Sequence, residues 1–162
     1  MSKVIMFSRY FPKSHPRCGA PTYFVEKIWS AIKEPSGNHF NVPDINLWEY
    51  LNCKPKNHTI RAGHRFKVGD KFSPRVWSGK PYRSKQIKIA PDITVKKIFD
   101  FEMDLNGIYS INGKYIPQQM YPVIAQNDGL TEMDMQFWFM PDYKKPKEFK
   151  GQLICWNEHI NY

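Results

Sequence analysis

Residues 54–88 read K-P-K-N-H-T-I-R-A-G-H-R-F-K-V-G-D-K-F-S-P-R-V-W-S-G-K-P-Y-R-S-K-Q-I-K, and here the chain changes from a helical to an extended pattern. Short runs of alternating polar and apolar residues are separated by turns that contain Gly or Pro, which is typical of short strands joined by tight loops. In order, the pattern predicts a strand at 58–61, a turn at 68–70, a strand at 71–77 interrupted by Pro74, a turn at 78–81 and a strand at 86–89. The stretch therefore predicts β structure.

The same stretch is strongly basic. It holds eleven of the 24 Lys and Arg residues and one acid, Asp70, a local balance of +10 in a chain whose net charge is +9. The rest of the chain therefore sums to about −1, and the positive charge is local. A concentration of one sign attracts anionic partners such as nucleic acid. Trp77 and Tyr82 lie among these cations and offer flat faces to bases. The alternative is a solvated basic hairpin that only aids solubility.

The segments on either side predict helices and further strands. In order, they predict a strand at 3–7, a loop at 9–21, helices at about 22–34 and 43–52, a strand at 95–101, a hairpin at 108–116, a helix at about 131–139 and a strand at 152–156. Asn112-Gly113 supplies the positive φ angles of a two-residue hairpin turn, Pro35-Ser36-Gly37 ends the first helix, and residues 38–42 connect the two N-terminal helices. The expected fold is α+β. A small antiparallel β-barrel of five to six strands carries two N-terminal helices and one helix before the last strand, in a single domain over residues 1–162.

Apolar spacing predicts which side of each helix is buried. The expected buried residues are Phe24, Val25, Ile28, Trp29 and Ile32 in the first helix, Ile45, Leu47, Trp48 and Leu51 in the second, and Met133, Phe137 and Trp138 in the third.

Composition excludes several classes of protein. No run approaches the roughly 20 apolar residues that cross a bilayer, and the N-terminus M-S-K-V-I-M-F-S-R is too short and interrupted for a secretory signal. The three cysteines are widely spaced without a C-x-x-C, so neither a disulfide framework nor a thiolate zinc site is indicated. We expect no metal, no cofactor and no membrane partner, and a cytoplasmic location by default.

Residues 56–61 could carry chemistry. In an extended chain Thr59 and Arg61 point to one side, and Lys56 joins them only if the chain bends near Asn57. A hydroxyl between an amine and a guanidinium suits the binding of a phosphate or a base edge. It also suits a nucleophile or proton donor beside a Lys whose pKa burial has lowered.

Several motifs together resemble the ASCH domain family of the PUA-like superfamily. They are K-x-x-T-I-R at 56–61, G-H-R-F-K-V-G-D-K at 63–71, W-S-G-K-P-Y-R-S at 77–84, D-G-L-T-E-M-D-M-Q-F-W-F at 128–139 and F-K-G-Q-L-I-C-W at 149–156. The resemblance covers about residues 22–156. It implies a small β-barrel with a cleft beside its first strand, and binding of RNA or modified nucleobases. Some small bacterial members are amidohydrolases that remove the acyl group of N4-acetylcytidine.

The resemblance also implies site residues. The hydrolase-like members' Lys, Thr and motif Arg match Lys56, Thr59 and Arg61. Their Glu before the last helix falls closest to Gln126 here, with Asp128 the nearest carboxylate and Glu132 the next. Asp128 is shorter than Glu by one methylene, and its alternative role is to cap the turn before the helix.

These observations lead to two main hypotheses and a third. In the first, the chain binds RNA, single-stranded nucleic acid or a modified nucleoside. Arg61, Trp77 and Tyr82 contact the base. The alternative is that Trp77 packs on the barrel end, which fits Trp77 better, and that Tyr82 packs on Trp77. The expected phosphate-binding cations are Lys54, Arg65, Lys67, Arg75, Lys80, Arg83 and Lys85. In the second, an amidohydrolase uses Lys56 as base, Thr59 as nucleophile or proton relay, and Asp128 as the second acid–base group, with Arg61 as the substrate anchor. The third is a protein-interaction adaptor with an acidic partner.

Overall fold

The computed structural model describes residues 2–33 and 42–162. Within those ranges the protein is a mixed α+β fold with nine strands and four α-helices. The strands are β1 Lys3–Met6, β2 His58–Ala62, β3 Lys71–Trp77, β4 Gln86–Lys88, β5 Ile93–Thr94, β6 Lys97–Met103, β7 Tyr109–Ile111, β8 Lys114–Tyr115 and β9 Phe149–Cys155. The helices are α1 Phe24–Ile32, α2 Leu47–Asn52, α3 Tyr121–Asn127 and α4 Glu132–Phe139. No helix of the described ranges is long and apolar enough to cross a membrane.

The strands form two sheets. One has the order β1-β3-β4, with β5 also paired to β3, and the other has the order β2-β9-β6-β7-β8. The described strands do not close into a barrel. The expectation of a wholly antiparallel arrangement is wrong, because β1 pairs in parallel with β3. A parallel neighbour that lies about 70 residues away leaves no mark in the local pattern.

Most local predictions are confirmed. The strands at 58–61 and 71–77, the first helix and the last strand lie within a few residues of their expected bounds. Asn112 and Gly113 have φ angles of 50° and 75° between β7 and β8, as the hairpin turn requires. Thr131 caps α4 by accepting a hydrogen bond from the Asp134 N–H. The predicted end of the first helix, Pro35-Ser36-Gly37, and most of the connector at 38–42 lie outside the described residues.

The second helix differs from its prediction in both bounds and orientation. It begins at Leu47, because the Asn46 side chain caps it by accepting from the Glu49 N–H. Its expected apolar side is exposed, at 68%, 68% and 77% for Leu47, Trp48 and Leu51. The helix meets α1 through Tyr50, whose ring lies 6.1 Å from that of Trp29.

The region before the last strand also differs from its prediction. Two helices, α3 and α4, precede β9 instead of one. On α4, Met133 is exposed, while Asp134 and Met135 are buried. Asp134 is drawn inward because Arg17 Nη1 lies 2.6 Å from its carboxylate and the buried His15 ring lies beside it.

The small sheet has a buried and an outer face. Along β3, Phe72 and Val76 are fully buried, whereas Lys71, Arg75 and Trp77 alternate with them on the other side. The register pairs Arg75 with Lys88 and Trp77 with Gln86. On the other neighbour of β3, Met6 lies beside Arg75. Basic side chains and Trp77 thus share the outer face.

Candidate functional site

Lys56 and Asp128 form a buried ion pair. Lys56 lies two residues before β2, and Asp128 caps the C-terminus of α3. Lys56 Nζ lies 2.9 Å from Asp128 Oδ1 and also donates to the Asp128 backbone carbonyl. Its ammonium lies 4.5 Å from the centre of the Phe24 ring. Only 1% of the Lys56 side chain is exposed. The structure therefore brings together two residues that the resemblance implied, from positions 72 residues apart.

The two partners have opposite responses to burial. Burial lowers the pKa of Lys56 to about 8, although the neighbouring Asp128 carboxylate raises it in part. Burial alone would raise the pKa of Asp128, but the Lys56 ammonium and the contact with the His58 ring outweigh it, so this pKa lies below its ordinary value. At neutral pH the pair is therefore an ammonium and a carboxylate.

A buried polar network adjoins this pair, and the sequence reasoning missed it as part of the site. Asn127 Nδ2 donates to the Tyr162 hydroxyl at 2.9 Å, which leaves the hydroxyl proton for His58 Nε2 at 2.8 Å. His58 Nδ1 then faces Asp128 Oδ1 at 3.5 Å. Burial lowers the pKa of His58, so the ring is neutral. The available signal was His58 itself, which alternation places on the same side of the strand as Lys56 and Ile60.

Thr59 and Arg61 share one side of β2, as alternation predicts. Arg61 Nε donates to Thr59 Oγ1 at 3.2 Å, and Arg61 Nη2 donates to the Met6 carbonyl at 2.7 Å. Lys56 approaches the same region, because its Nζ and the Arg61 guanidinium lie 5.9 Å and 5.2 Å from the centre of the Phe7 ring. Thr59 is 4% exposed. The three residues are near one another, but the hydroxyl is closed off from solvent.

A cavity of about 280 Å³ lies beside the ion pair. Gln126 and Gly129 form part of its wall, and the cations on it are Arg17, Lys27 and Lys54. Lys27 Nζ donates to the Gly129 carbonyl at 2.8 Å, and Lys56 is not among the lining residues. Asp128 is not among the lining residues; the carboxylates on the wall belong to Glu49 and Asp134.

The expected phosphate-binding cations fall into separate groups. Arg75, Lys80, Arg83 and Lys85 belong to the β3–β4 hairpin, where the last three are exposed and Arg75 is held by Ser73 and Gln86. Lys67 lies in the turn at the opposite end of β3, and Lys54 lies on the 280 Å³ cavity. Arg65 lines a different cavity, between β1 and β2. The structure thus places four of the seven predicted phosphate-binding cations together, on the β3–β4 hairpin.

The two aromatic candidates lie together at this hairpin. Tyr82 is 90% exposed and has a positive φ of 62°, which projects its ring from the tip. The half-buried Trp77 ring lies 5.4 Å from it. We define the basic hairpin as residues 71–91, which contain six Lys and Arg residues and no acid.

Within the described residues, no three His, Cys, Asp or Glu side chains lie close enough to hold a metal ion. No protein-family model matches the chain, and neither the curated proteins nor the solved structures include a match.

Proposed function

We propose that this protein binds single-stranded nucleic acid, with RNA or a modified base as its target, through the basic hairpin. The observation that carries the proposal is the exposed Tyr82 ring at the tip of a hairpin with no acidic residue. We further propose that the two sheets are an open form of the barrel found in the ASCH family, on the motifs quoted above.

The chemistry of the hairpin supports this function. Bases stack on exposed aromatic rings, and each stacked base contributes about 1–3 kcal/mol to binding. Such stacking tolerates any sequence, because every base has a flat aromatic face. Lys80, Arg83 and Lys85 lie within three residues of Tyr82 and have exposed side chains, which suits contact with a phosphate backbone. Arg75 extends the positive charge along the outer face of the sheet, while its neighbour Lys88 is paired with Asp92. Ring and cations together match a flexible strand of alternating bases and phosphates.

Salt dependence tests the proposal. Each neutralised phosphate of a single strand contributes about −0.7 to the slope of log K against log salt, so contact through four cations predicts a slope of about −3. Fluorescence anisotropy with a labelled RNA of about ten nucleotides, at salt concentrations from about 50 to about 300 mM, measures this slope. Binding that does not change with salt, or no binding at low salt, contradicts the proposal.

The Lys56–Asp128 pair favours a second candidate, an amidohydrolase acting on an acylated nucleobase such as N4-acetylcytidine. A Lys with a pKa of about 8 loses its proton more readily than an ordinary Lys and can serve as a general base. The neutral Lys56 amine can take the proton of the attacking group and pass it to the leaving amine, while the Asp128 carboxylate at 2.9 Å stabilises the ammonium between the two steps. Nucleic-acid binding is the stronger candidate, because the hairpin is open to solvent and this pair is not.

Turnover of N4-acetylcytidine tests the second candidate. We expect the wild type to release cytidine, and Lys56→Ala and Thr59→Val each to lower kcat by at least about 100-fold, the range of general acid–base contributions. Circular dichroism of each variant checks that it has folded. No release by the wild type, or equal release by all three proteins, excludes this activity for that substrate.

A further inference from the structure

We propose that the cleft between β1 and β2 binds a phosphate monoester, with Arg61 and Arg65 as its main ligands. We call this cavity of about 260 Å³ the arginine cleft. It lies where the open edge of the small sheet faces the open edge of the large one. Its lining residues are Val4, Ile5, Met6, Arg61, Ala62, Gly63, Arg65, Phe66 and Gln152.

The arginine cleft carries positive charge without a compensating acid. None of its lining residues is acidic. Across the described residues, neither guanidinium has a carboxylate within ion-pair distance. Both hydrogen bonds of Arg61 go to neutral oxygens, those of Thr59 and Met6. A guanidinium has five N–H donors, so three remain for a ligand. The acid whose charge acts on Arg61, Asp128, is already paired with Lys56. The burial of the Arg61 guanidinium is therefore costly, and an anion in the cleft relieves that cost.

The edge of β1 adds backbone donors to the same cleft. The Phe7 N–H bonds to the Arg75 carbonyl, toward β3, while the Met6 carbonyl faces Arg61 on the opposite side. Because peptide groups alternate sides along a strand, the N–H groups of Val4 and Met6 face the cleft as well. Backbone N–H groups beside a guanidinium are a recurring arrangement for oxyanions.

The loop that carries Arg65 is held in place by hydrogen bonds from two side chains, those of Lys3 and Gln152. Lys3 Nζ donates to the Arg65 carbonyl at 2.6 Å. The buried Gln152 side chain makes two bonds to Phe66, accepting from its N–H and donating to its carbonyl, each at 3.0 Å. These contacts fix the backbone and leave the Arg65 guanidinium exposed. A site whose backbone is already ordered loses less entropy when its ligand binds.

Charge and size favour a phosphate monoester as the ligand. It carries about −1.5 to −2 charges at neutral pH, which matches two guanidinium groups better than a carboxylate or a phosphodiester does. The cleft is smaller than the roughly 300–1,000 Å³ of pockets that enclose whole ligands, so it suits an end group. The phosphate belongs either to a free mononucleotide or to the end of a strand; the second source rests on the proposed nucleic-acid binding.

Calorimetric titration of the full chain at low salt tests the arginine cleft with adenosine 5′-monophosphate, adenosine and inorganic phosphate. We expect the nucleotide and inorganic phosphate to bind, and adenosine to bind at least tenfold more weakly than the nucleotide. Arg65→Gln removes an exposed side chain and should weaken nucleotide binding about tenfold. Arg61→Lys keeps the charge but loses the paired N–H donors of the guanidinium, and should also weaken nucleotide binding about tenfold. Lys114→Gln, an exposed cation on β8, is the matched control and should not change it. Equal binding of nucleotide and nucleoside, or unchanged binding in Arg65→Gln, overturns the proposal.

A second comparison identifies the source of the phosphate. An RNA of about ten nucleotides with a 5′-phosphate should bind more tightly than the same RNA with a 5′-hydroxyl if the cleft holds a strand end. Equal affinity of the two RNAs, together with nucleotide binding that depends on Arg65, assigns the cleft to a free mononucleotide. If RNA does not bind but the nucleotide does, the proposed function fails and the arginine cleft stands.

Discussion

Asp128→Asn is expected to lower the free energy of unfolding by about 3–5 kcal/mol, the cost of leaving one member of a buried ion pair without its partner. The Lys56 ammonium would keep neutral partners, namely the backbone carbonyl of residue 128, the amide oxygen of the new side chain and the faces of Phe24 and Phe7. None of these replaces the charge of a carboxylate at 2.9 Å. Urea unfolding at neutral pH, followed by tryptophan fluorescence, measures the loss.

The double variant Lys56→Met/Asp128→Asn separates charge from packing. It removes both charges and keeps the approximate volumes, so it should be more stable than Asp128→Asn alone. Asp92→Asn is the control, because its partner Lys88 lies 2.7 Å away on the surface, and such pairs contribute at most about 1 kcal/mol. A loss below about 1 kcal/mol in Asp128→Asn contradicts a buried, charged pair.

The same ion pair makes the free energy of unfolding depend on pH in the acid range. Because the pKa of Asp128 is lowered in the folded state, the unfolded carboxyl takes up its proton first as the pH falls. Its contribution is complete above the ordinary pKa of 3.8 and is lost as the pH falls toward the folded value. Asp128→Asn should lose this part of the acid sensitivity, which a series of unfolding curves at low pH would show.

The triple variant Lys80→Gln/Arg83→Gln/Lys85→Gln is expected to bind single-stranded RNA on the order of 100-fold more weakly at about 50 mM salt, and to lower the magnitude of the salt slope by about 2. These three cations have exposed side chains on the tip of the basic hairpin, so the fold should tolerate their loss. The anisotropy titrations described above measure both quantities.

The matched control removes the same number of cations from a different exposed loop. Lys144→Gln/Lys145→Gln/Lys147→Gln changes the net charge equally, between α4 and β9. If binding depended only on net charge, both triple variants would weaken it alike. That result, or unchanged binding in the hairpin variant, would contradict a role for the hairpin.

Local signals predicted much of the fold. Asn112-Gly113 set the β7–β8 hairpin, Thr131 set the start of α4, and alternation set β2 and β3. Each signal acts within a few residues, through turn chemistry, capping or the two-residue period of a strand. Elements defined by such signals need no knowledge of the rest of the chain.

Features that depend on distant neighbours were not predictable in the same way. Nothing near Lys3 indicates that β1 lies parallel to β3, and the apolar spacing of α2 gave no hint that Leu47 and Leu51 face solvent. The approach of Asp128 to Lys56 came from the resemblance and not from spacing. Gln152 was an overlooked signal: a polar residue in an otherwise apolar strand needs partners, and it finds them in Phe66.

The position of β9 in the large sheet has a consequence for synthesis of the protein. β9 lies between β2 and β6 and supplies the hydrogen-bond partners of both. A ribosome must therefore release residues 149–155 from its exit tunnel before either ladder can form. Until then, β2 and β6 have no shared partner, and nascent chains expose the edges that chaperones recognise. We expect the large sheet to form once β9 is available rather than strand by strand during synthesis.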